Sequence, residues 1–287
     1  MTTLGGLRFS LVGPGRVGAS LAAWAEAAGA RLVSTARRGE AAALATAGQD
    51  LLLVAVPDPA LAAVAPELAG HPLGAVVLHT SGSLGAEALA ALRAGGSAVG
   101  TLHPLKAFPH PLPAPEQARG VFFALDGDPA AVELAGRLAA AWGGRSALVP
   151  PAARPLYHLA ATLAAGGVVT LLAVAEELAG RLGLGSAEAG AVVAGYLELA
   201  RGALAAAREA QEAGLPLGAA LTGPAARGDR ATVARQLEAL LSIDPDQARL
   251  VARLARETLD QKVRADASAA PALEGLAADL DRLDPAG

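Results

Sequence analysis

Residues 7–28 read LRFSLVGPGRVGASLAAWAEAA, and this stretch decides the fold. Residues 7–12 form a short apolar run suited to a strand. The run ends at Gly13, and residues 15–28, rich in Ala and Leu, read as a helix. The order is therefore strand, glycine turn, helix. Short apolar runs recur at residues 31–35, 51–56, 75–79 and 97–102, separated by segments of helical character. Alternation of this kind implies a parallel sheet with crossover helices. Residues 121–125 and 146–149 are expected to add two strands around a helix near 129–142, closing a first domain over residues 1–150.

Gly13-Pro14-Gly15-Arg16-Val17-Gly18 is a GxGxxG set between strand and helix, where the dinucleotide-binding fingerprint requires it. The first glycine permits a tight turn, the second lets a diphosphate approach the backbone, and the third lets the helix pack closely on the strand. The helix N-terminus then offers unpaired N–H groups to the phosphates. About 20 residues further on, NAD-binding domains present Asp or Glu to the ribose hydroxyls. Arg37 and Arg38 stand there instead. Guanidinium groups grip a 2′-phosphate with charge-assisted bonds, so the pair predicts NADP as cofactor, with no metal. Val56 and Pro57 are expected to cover the ribose and adenine side. Asp58, just before Pro59, is expected to cap the next helix.

In an open parallel sheet, ligands bind beyond the carboxyl ends of the strands. Two loops should meet there: His79-Thr80-Ser81-Gly82-Ser83, and His103-Pro104-Leu105-Lys106-Ala107-Phe108. Hydride transfer to a carbonyl or iminium carbon leaves electron density on the attached oxygen or nitrogen, which must be stabilised or protonated. His103 is the candidate acid/base, because an ordinary imidazole titrates near neutrality. Lys106 is one of only two lysines among 23 basic residues, and is expected to hold a substrate carboxylate or donate a proton. Ser81 and Ser83 are candidates to bind the reacting polar group. His71 and His110 sit among prolines and receive no role.

Composition sets the outer limits. A chain of 287 residues with 53% hydrophobic and 17% charged residues can bury a core. A net charge of -4 and 3% aromatic residues argue against nucleic acid as a partner. The absence of cysteine removes disulfides and thiolate metal sites. The start, MTTLGGLRFSLVG, lacks the pattern of a signal peptide, and a cytoplasmic location is expected.

From residue 151 to 287 the strand pattern gives way to an all-α second domain. Residues 156–175 carry no Asp, Glu, Lys or Arg. A membrane span is not expected, because Ala, Gly and Thr dominate, His158 lies inside, and Glu176-Glu177 follows directly. A helix apolar all round is expected to be buried, across a dimer interface if not within the chain. Further helices are expected at residues 186–212, with Ser186 as a cap, at 229–241, with Asp229 as a cap, and at 245–265. Arg227 is a candidate contact for an anionic substrate.

Taken in order, GPGRVG, HTSGS, HPLKAF, RPLYHLAA and LTGPAARGD span most of the chain. As a set they resemble the Rossmann-like proteins with a helical carboxy-terminal domain of unknown function, regarded as NADP-dependent oxidoreductases and similar in plan to pyrroline-5-carboxylate reductases. The resemblance implies an amino-terminal Rossmann domain, a helical dimerisation domain, and a cleft between them involving Tyr157, His158 as a second catalytic polar group, and Arg227. The Ser-rich loop followed by His-Pro also resembles prephenate dehydrogenases, whose matching histidine contacts the reacting hydroxyl, which supports His103. The chain departs from the family pattern at Gly166, where an Asn is usual, and at Gln236, where a His is often found. The resulting expectation is a cytoplasmic, homodimeric NADP-dependent oxidoreductase acting on a small anionic carbonyl, imine or alcohol. Prephenate-dehydrogenase-like or 2-oxo acid reductase activity are its variants. The alternative is a non-catalytic NADP-binding sensor or scaffold.

Overall fold

The computed structural model of the chain describes residues 3–37, 39–46, 48–69, 73 and 76–283. It divides into two compact units, one ending at Val169 and the other beginning at Thr170.

The first unit is built on a seven-stranded sheet of order β2-β1-β3-β4-β5-β6-β7. The strands are β1 (Arg8–Val12), β2 (Arg31–Ala36), β3 (Leu51–Val54), β4 (Val76–His79), β5 (Val99–Pro104), β6 (Phe122–Gly127) and β7 (Arg145–Leu148). Central β3 is buried at every position, as expected of a strand covered on both faces. Its side chains alternate between two cores. Leu51 and Leu53 join Leu21, Trp24, Leu134 and Leu138, from α1 (Arg16–Ala27) and α3 (Pro129–Ala141). Leu52 and Val54 join Leu61, Val64 and Leu68 of α2 (Asp58–Leu68), and Leu89 and Leu92 of the 3₁₀ segment Ala86–Gly95.

Three readings of the sequence change here. The sheet is parallel from β2 to β5, but β6 pairs antiparallel with β5, and β7 then runs parallel to β6. Between β5 and β6 the only helical piece is the short 3₁₀ turn Pro115–Ala118, too little for the crossover a parallel return needs. The β6 ladder also lengthens β5. His103 and Pro104 lie within the strand, opposite Ala124 and Phe123, rather than in a loop that begins after residue 102. Asp58 is not a helix cap; it stands in the first turn of α2, where its carboxylate accepts from the Ser83 hydroxyl. Ala75, expected to start β4, lies outside the described residues.

Helix α4 (Arg154–Thr162) passes into a π-helical turn, Leu163–Gly167, which belongs with the first unit. The second unit holds α6 (Ser186–Glu212), α7 (Gly223–Ala226), α8 (Arg230–Leu241), α9 (Pro245–Ala265) and α10 (Ala270–Leu283), while α5 (Val168–Ala179) spans the division. Val233, Leu237, Ala252, Leu259, Leu273, Leu276 and Leu280 form its core. Asp229 caps α8 by accepting the Thr232 N–H, as its place in the sequence predicts. Ser186 does not cap α6: the cap is Gly185, whose N–H donates to Glu188. The runs Pro151–Ala179 and Ser186–Glu212 are long and apolar enough to cross a membrane by length and composition, with mean hydropathies of 1.8 and 1.2. Neither apolar window is buried in the single chain, so the burial expected of residues 156–175 is not found within it.

Candidate active site

Three glycines shape the turn after β1, each differently. Gly13 has φ of +86°, its N–H donates to Ala36 O, and a Cβ there would stand 2.6 Å from Ala55 O. On Gly18 a Cβ would stand 2.3 Å from Gly13 O, so only glycine lets α1 approach the turn. Gly15, by contrast, has no atom within 4 Å of where its Cβ would be. It is also the N-cap of α1, with no side-chain cap and no acid in the first turn. The turn therefore presents unpaired amides and open room at one point, the arrangement an anionic group fits.

Around it, Pro14 and Arg16 are exposed, and the Arg16 guanidinium donates to Pro109 O at 3.2 Å. Val17 packs against the core. Val56 reaches within 2.9 Å of the position a Gly13 Cβ would take, and Pro57 precedes α2 as its N-cap. Arg37 is exposed immediately after β2, with its backbone N–H donated to the Glu40 carboxylate. Arg38 and His71 lie outside the described residues.

A second group of side chains collects at the carboxyl ends of β4 and β5 and the start of α4. His79 is fully buried. Its Nδ1 accepts from the Ser81 N–H, so Nε2 carries the proton and donates to Gly85 O at 3.0 Å. Burial lowers its pKa to about 4. This ring braces the loop rather than facing a ligand. Ser81 is buried as well, its hydroxyl accepting from the Leu84 N–H and its carbonyl from Arg154. Ser83 donates to Asp58 at 2.5 Å.

His103, at the end of β5, is half-buried, with Nδ1 2.9 Å from the Tyr157 hydroxyl. The two rings meet edge to face at 5.5 Å, and the His158 ring lies 6.0 Å away. Gly82 makes this packing possible. A Cβ there would come within 2.7 Å of His103 Nε2 and 2.5 Å of His158 Cδ2. Burial first, then the charges of His158 and Arg154, hold the His103 pKa down at about 4. The near-neutral value that made His103 an acid/base candidate is thus lost to desolvation, and the ring is neutral at pH 7.

Arg154 escaped the sequence reading. It is fully buried, donates to Ser81 O and to the Thr101 hydroxyl, and brings Nε to 3.8 Å from Asp126. Thr101 and Asp126 are cross-strand partners on β5 and β6, so one guanidinium ties both strands to the loop after β4. Arg154 also stands one helical turn before Tyr157 and His158, on the same face of α4. Its only trace in the sequence is that spacing, since its contacts lie 53 and 73 residues away.

Beside His103 opens a cavity of about 680 Å³, walled by residues 103–107 on one side and by α4 and the π-helical turn on the other. Lys106, Tyr157, His158 and Gly166 line it. Arg227 belongs to the second unit, exposed at the carboxyl end of α7, and Gln236 is exposed on α8. Among the described residues, no group of three or more His, Asp or Glu side chains could hold a metal ion.

These features define a largely parallel α/β sheet with a polar cluster at the carboxyl ends of its strands, and comparison with known proteins gives the domains. Residues 5–104 match a Rossmann-like domain and residues 121–258 match a domain of unknown function, DUF2520. The chain joins these two domains. Among solved structures it is similar to protein TM1727 from Thermotoga maritima, with 22% identity, TM-score 0.63, and 88% of this chain and 99% of the other covered. It is similar to the "putative NADP oxidoreductase" BF3122 from Bacteroides fragilis, with 21% identity, TM-score 0.67, and coverage of 88% and 98%. The pyrroline carboxylate reductase of Plasmodium falciparum, solved with NADP bound, follows at 13% identity, TM-score 0.53, and coverage of 90% and 98%. At these identities the likeness is one of fold. No curated protein matches the chain.

Proposed function

We propose that the chain is an NADP-dependent oxidoreductase that moves a hydride between the nicotinamide and a carbonyl, imine or alcohol carbon. The observation that carries this reading is the pairing, on one sheet, of an open amide cradle at Gly15 with the His103–Tyr157 hydrogen bond at the end of β5. The proteins of like fold described as a "putative NADP oxidoreductase" and as a pyrroline carboxylate reductase with NADP bound support it.

The turn Gly13–Gly18 would hold the diphosphate on its free amides, with Arg37 and Arg38 at the 2′-phosphate and Val56 and Pro57 along the ribose. When bound, the nicotinamide supplies or accepts the hydride. Around the reacting carbon, this chain's residues divide the work. Burial raises the Tyr157 pKa and keeps the phenol protonated; in the tautomer whose Nδ1 accepts from that hydroxyl, His103 keeps Nε2–H as a donor. A neutral imidazole stabilises developing negative charge on oxygen by a hydrogen bond, and surrenders no proton. The charge of His158 opposes a second proton on His103. His158 lines the same cavity, its ring 6.0 Å from that of His103, and is the second polar group beside the reacting carbon.

We also take the protein to be a cytoplasmic homodimer. Leu156, Leu159, Leu163, Leu197 and Leu199 are more than half exposed in the single chain, and a second copy would cover them. The test of the cofactor assignment is kinetic. Arg37→Ala should raise KM for NADPH about tenfold or more while leaving that for NADH within about twofold. Equal effects on both nucleotides would remove the 2′-phosphate assignment.

A further inference from the structure

We propose that the cavity beside His103 takes a small 2-oxo acid, a ketone next to a carboxylate on an apolar body, and excludes cyclic iminium compounds. This rests on the oxidoreductase reading above and names the substrate class of the same site.

Lys106 is the one Lys, Arg, Asp or Glu among the residues that line the cavity. Among the described residues its ammonium meets no carboxylate and makes no side-chain hydrogen bond, so it can serve a ligand. The other polar groups on the wall are the Tyr157 hydroxyl, the two imidazoles and the Thr162 hydroxyl. Thr162 is already donated to His158 O. The Lys106 ammonium therefore favours a ligand that carries a negative charge.

A cationic substrate would need a carboxylate, and the two nearest the cluster are committed. Asp58 accepts from Ser83, and Asp126 accepts from the Ala86 N–H and faces Arg154. Neither lines the cavity. An iminium would thus be desolvated beside the Lys106 ammonium with no carboxylate on the wall, a like-charge encounter. Beyond Tyr157, His158 and Thr162 the opposite wall is alanine and glycine, with Gly166 meeting no atom within 4 Å of its Cβ position. That wall accepts an apolar body and supplies no counter-charge.

The chemistry balances with the nicotinamide nucleotide as reductant. A C–H bond forms at the carbonyl carbon and the C=O π bond breaks. One proton completes the hydroxyl, and the products are a 2-hydroxy acid and the oxidised nucleotide.

The test uses the full chain and binding as its readout. Calorimetry would compare 3-methyl-2-oxobutanoate, the neutral ketone 3-methyl-2-butanone, and 1-pyrroline at a pH where it is protonated, on wild type, Lys106→Arg and Lys106→Gln. Circular dichroism would confirm that each variant is folded. The expected result is that Lys106→Gln weakens the oxo acid about tenfold, Lys106→Arg keeps most of its affinity, and the ketone is unmoved. The 1-pyrroline cation should bind more weakly than the oxo acid to wild type. The proposal is overturned if Lys106→Gln leaves oxo acid binding unchanged, or if 1-pyrroline binds wild type as tightly as the oxo acid. NADPH titration in the same samples separates the two levels. Loss of NADPH binding with intact oxo acid selectivity removes the oxidoreductase reading alone, whereas NADPH binding without that selectivity removes the substrate class alone.

Discussion

Arg154 shows how a side chain can govern a site without touching a ligand. It links the Ser81 carbonyl, Thr101 and Asp126, and so presses α4 onto the strand ends that carry His103. Replacing it with Met leaves Asp126 and Thr101 without their partner in the interior. We expect a stability loss of about 3 kcal/mol in urea unfolding. We also expect a fall in kcat with NADPH affinity unchanged, because Tyr157 loses its seat against His103. A kcat equal to wild type would show that Arg154 is merely structural. The histidines add to the usual acid effect on carboxylates, but at higher pH, because their ordinary value lies near 6.5. His79 and His103 have folded pKa values near 4, below the 6.5 of a free imidazole, so the unfolded chain binds more protons between those values. Their contribution to stability is present above pH 6.5 and declines as pH falls toward 4. For His79 alone the loss from pH 7 to 4.5 is about 2 kcal/mol, and urea midpoints at the two pH values measure it. A flat profile would contradict the burial of both rings. The glycine turn was legible in the sequence because its chemistry is local, each residue acting at a fixed spacing. The depressed pKa of His103 was not, since it arises from burial and from the charges of His158 and Arg154, more than 50 positions away.

At the scale of elements, hydrophobic periodicity located the strands within a few residues but carried no information on their direction. Nothing in residues 122–127 states that β6 runs against β5; that follows from the missing crossover helix between them. The consequence is functional, because the antiparallel ladder fixes His103 within a strand. The proline-rich segment after β5 is also more ordered than its composition suggested. Leu112 N–H donates to the Ser20 hydroxyl, the Trp24 indole donates to Leu112 O, and Phe108 packs on the Trp24 ring at 5.9 Å. Helix α1 thus holds the segment that continues from Lys106. The glycines of the turn offer a paired test. Gly13→Ala must strain a positive φ and displace Ala55 O, so it should lose about 2 kcal/mol or more of stability. A Cβ at Gly15 meets no atom, and Gly15→Val should unfold at wild-type urea concentrations while losing nucleotide binding. Equal destabilisation by both changes would refute the distinct roles given to the two positions.

For the whole molecule, the Rossmann-like architecture and the helical second unit were readable from the alternation of patterns. How the apolar helices are covered was not, because one chain does not contain its neighbours. Leu199 is 72% exposed on α6 and Leu156 is 71% exposed on α4. A homodimer predicts light scattering at twice the 28.3 kDa chain mass, and a shift to monomer in Leu199→Lys. Recovery of the wild-type protein with membranes would contradict that reading. The central claim is that the cradle at Gly15 holds a nicotinamide nucleotide beside His103. Calorimetric titration of folded wild type and Gly15→Val with NADPH tests it most directly. The account predicts one NADPH per chain for wild type and no measurable uptake by the equally stable variant. Wild type that takes up no NADPH, or a variant that binds it as well, would contradict it.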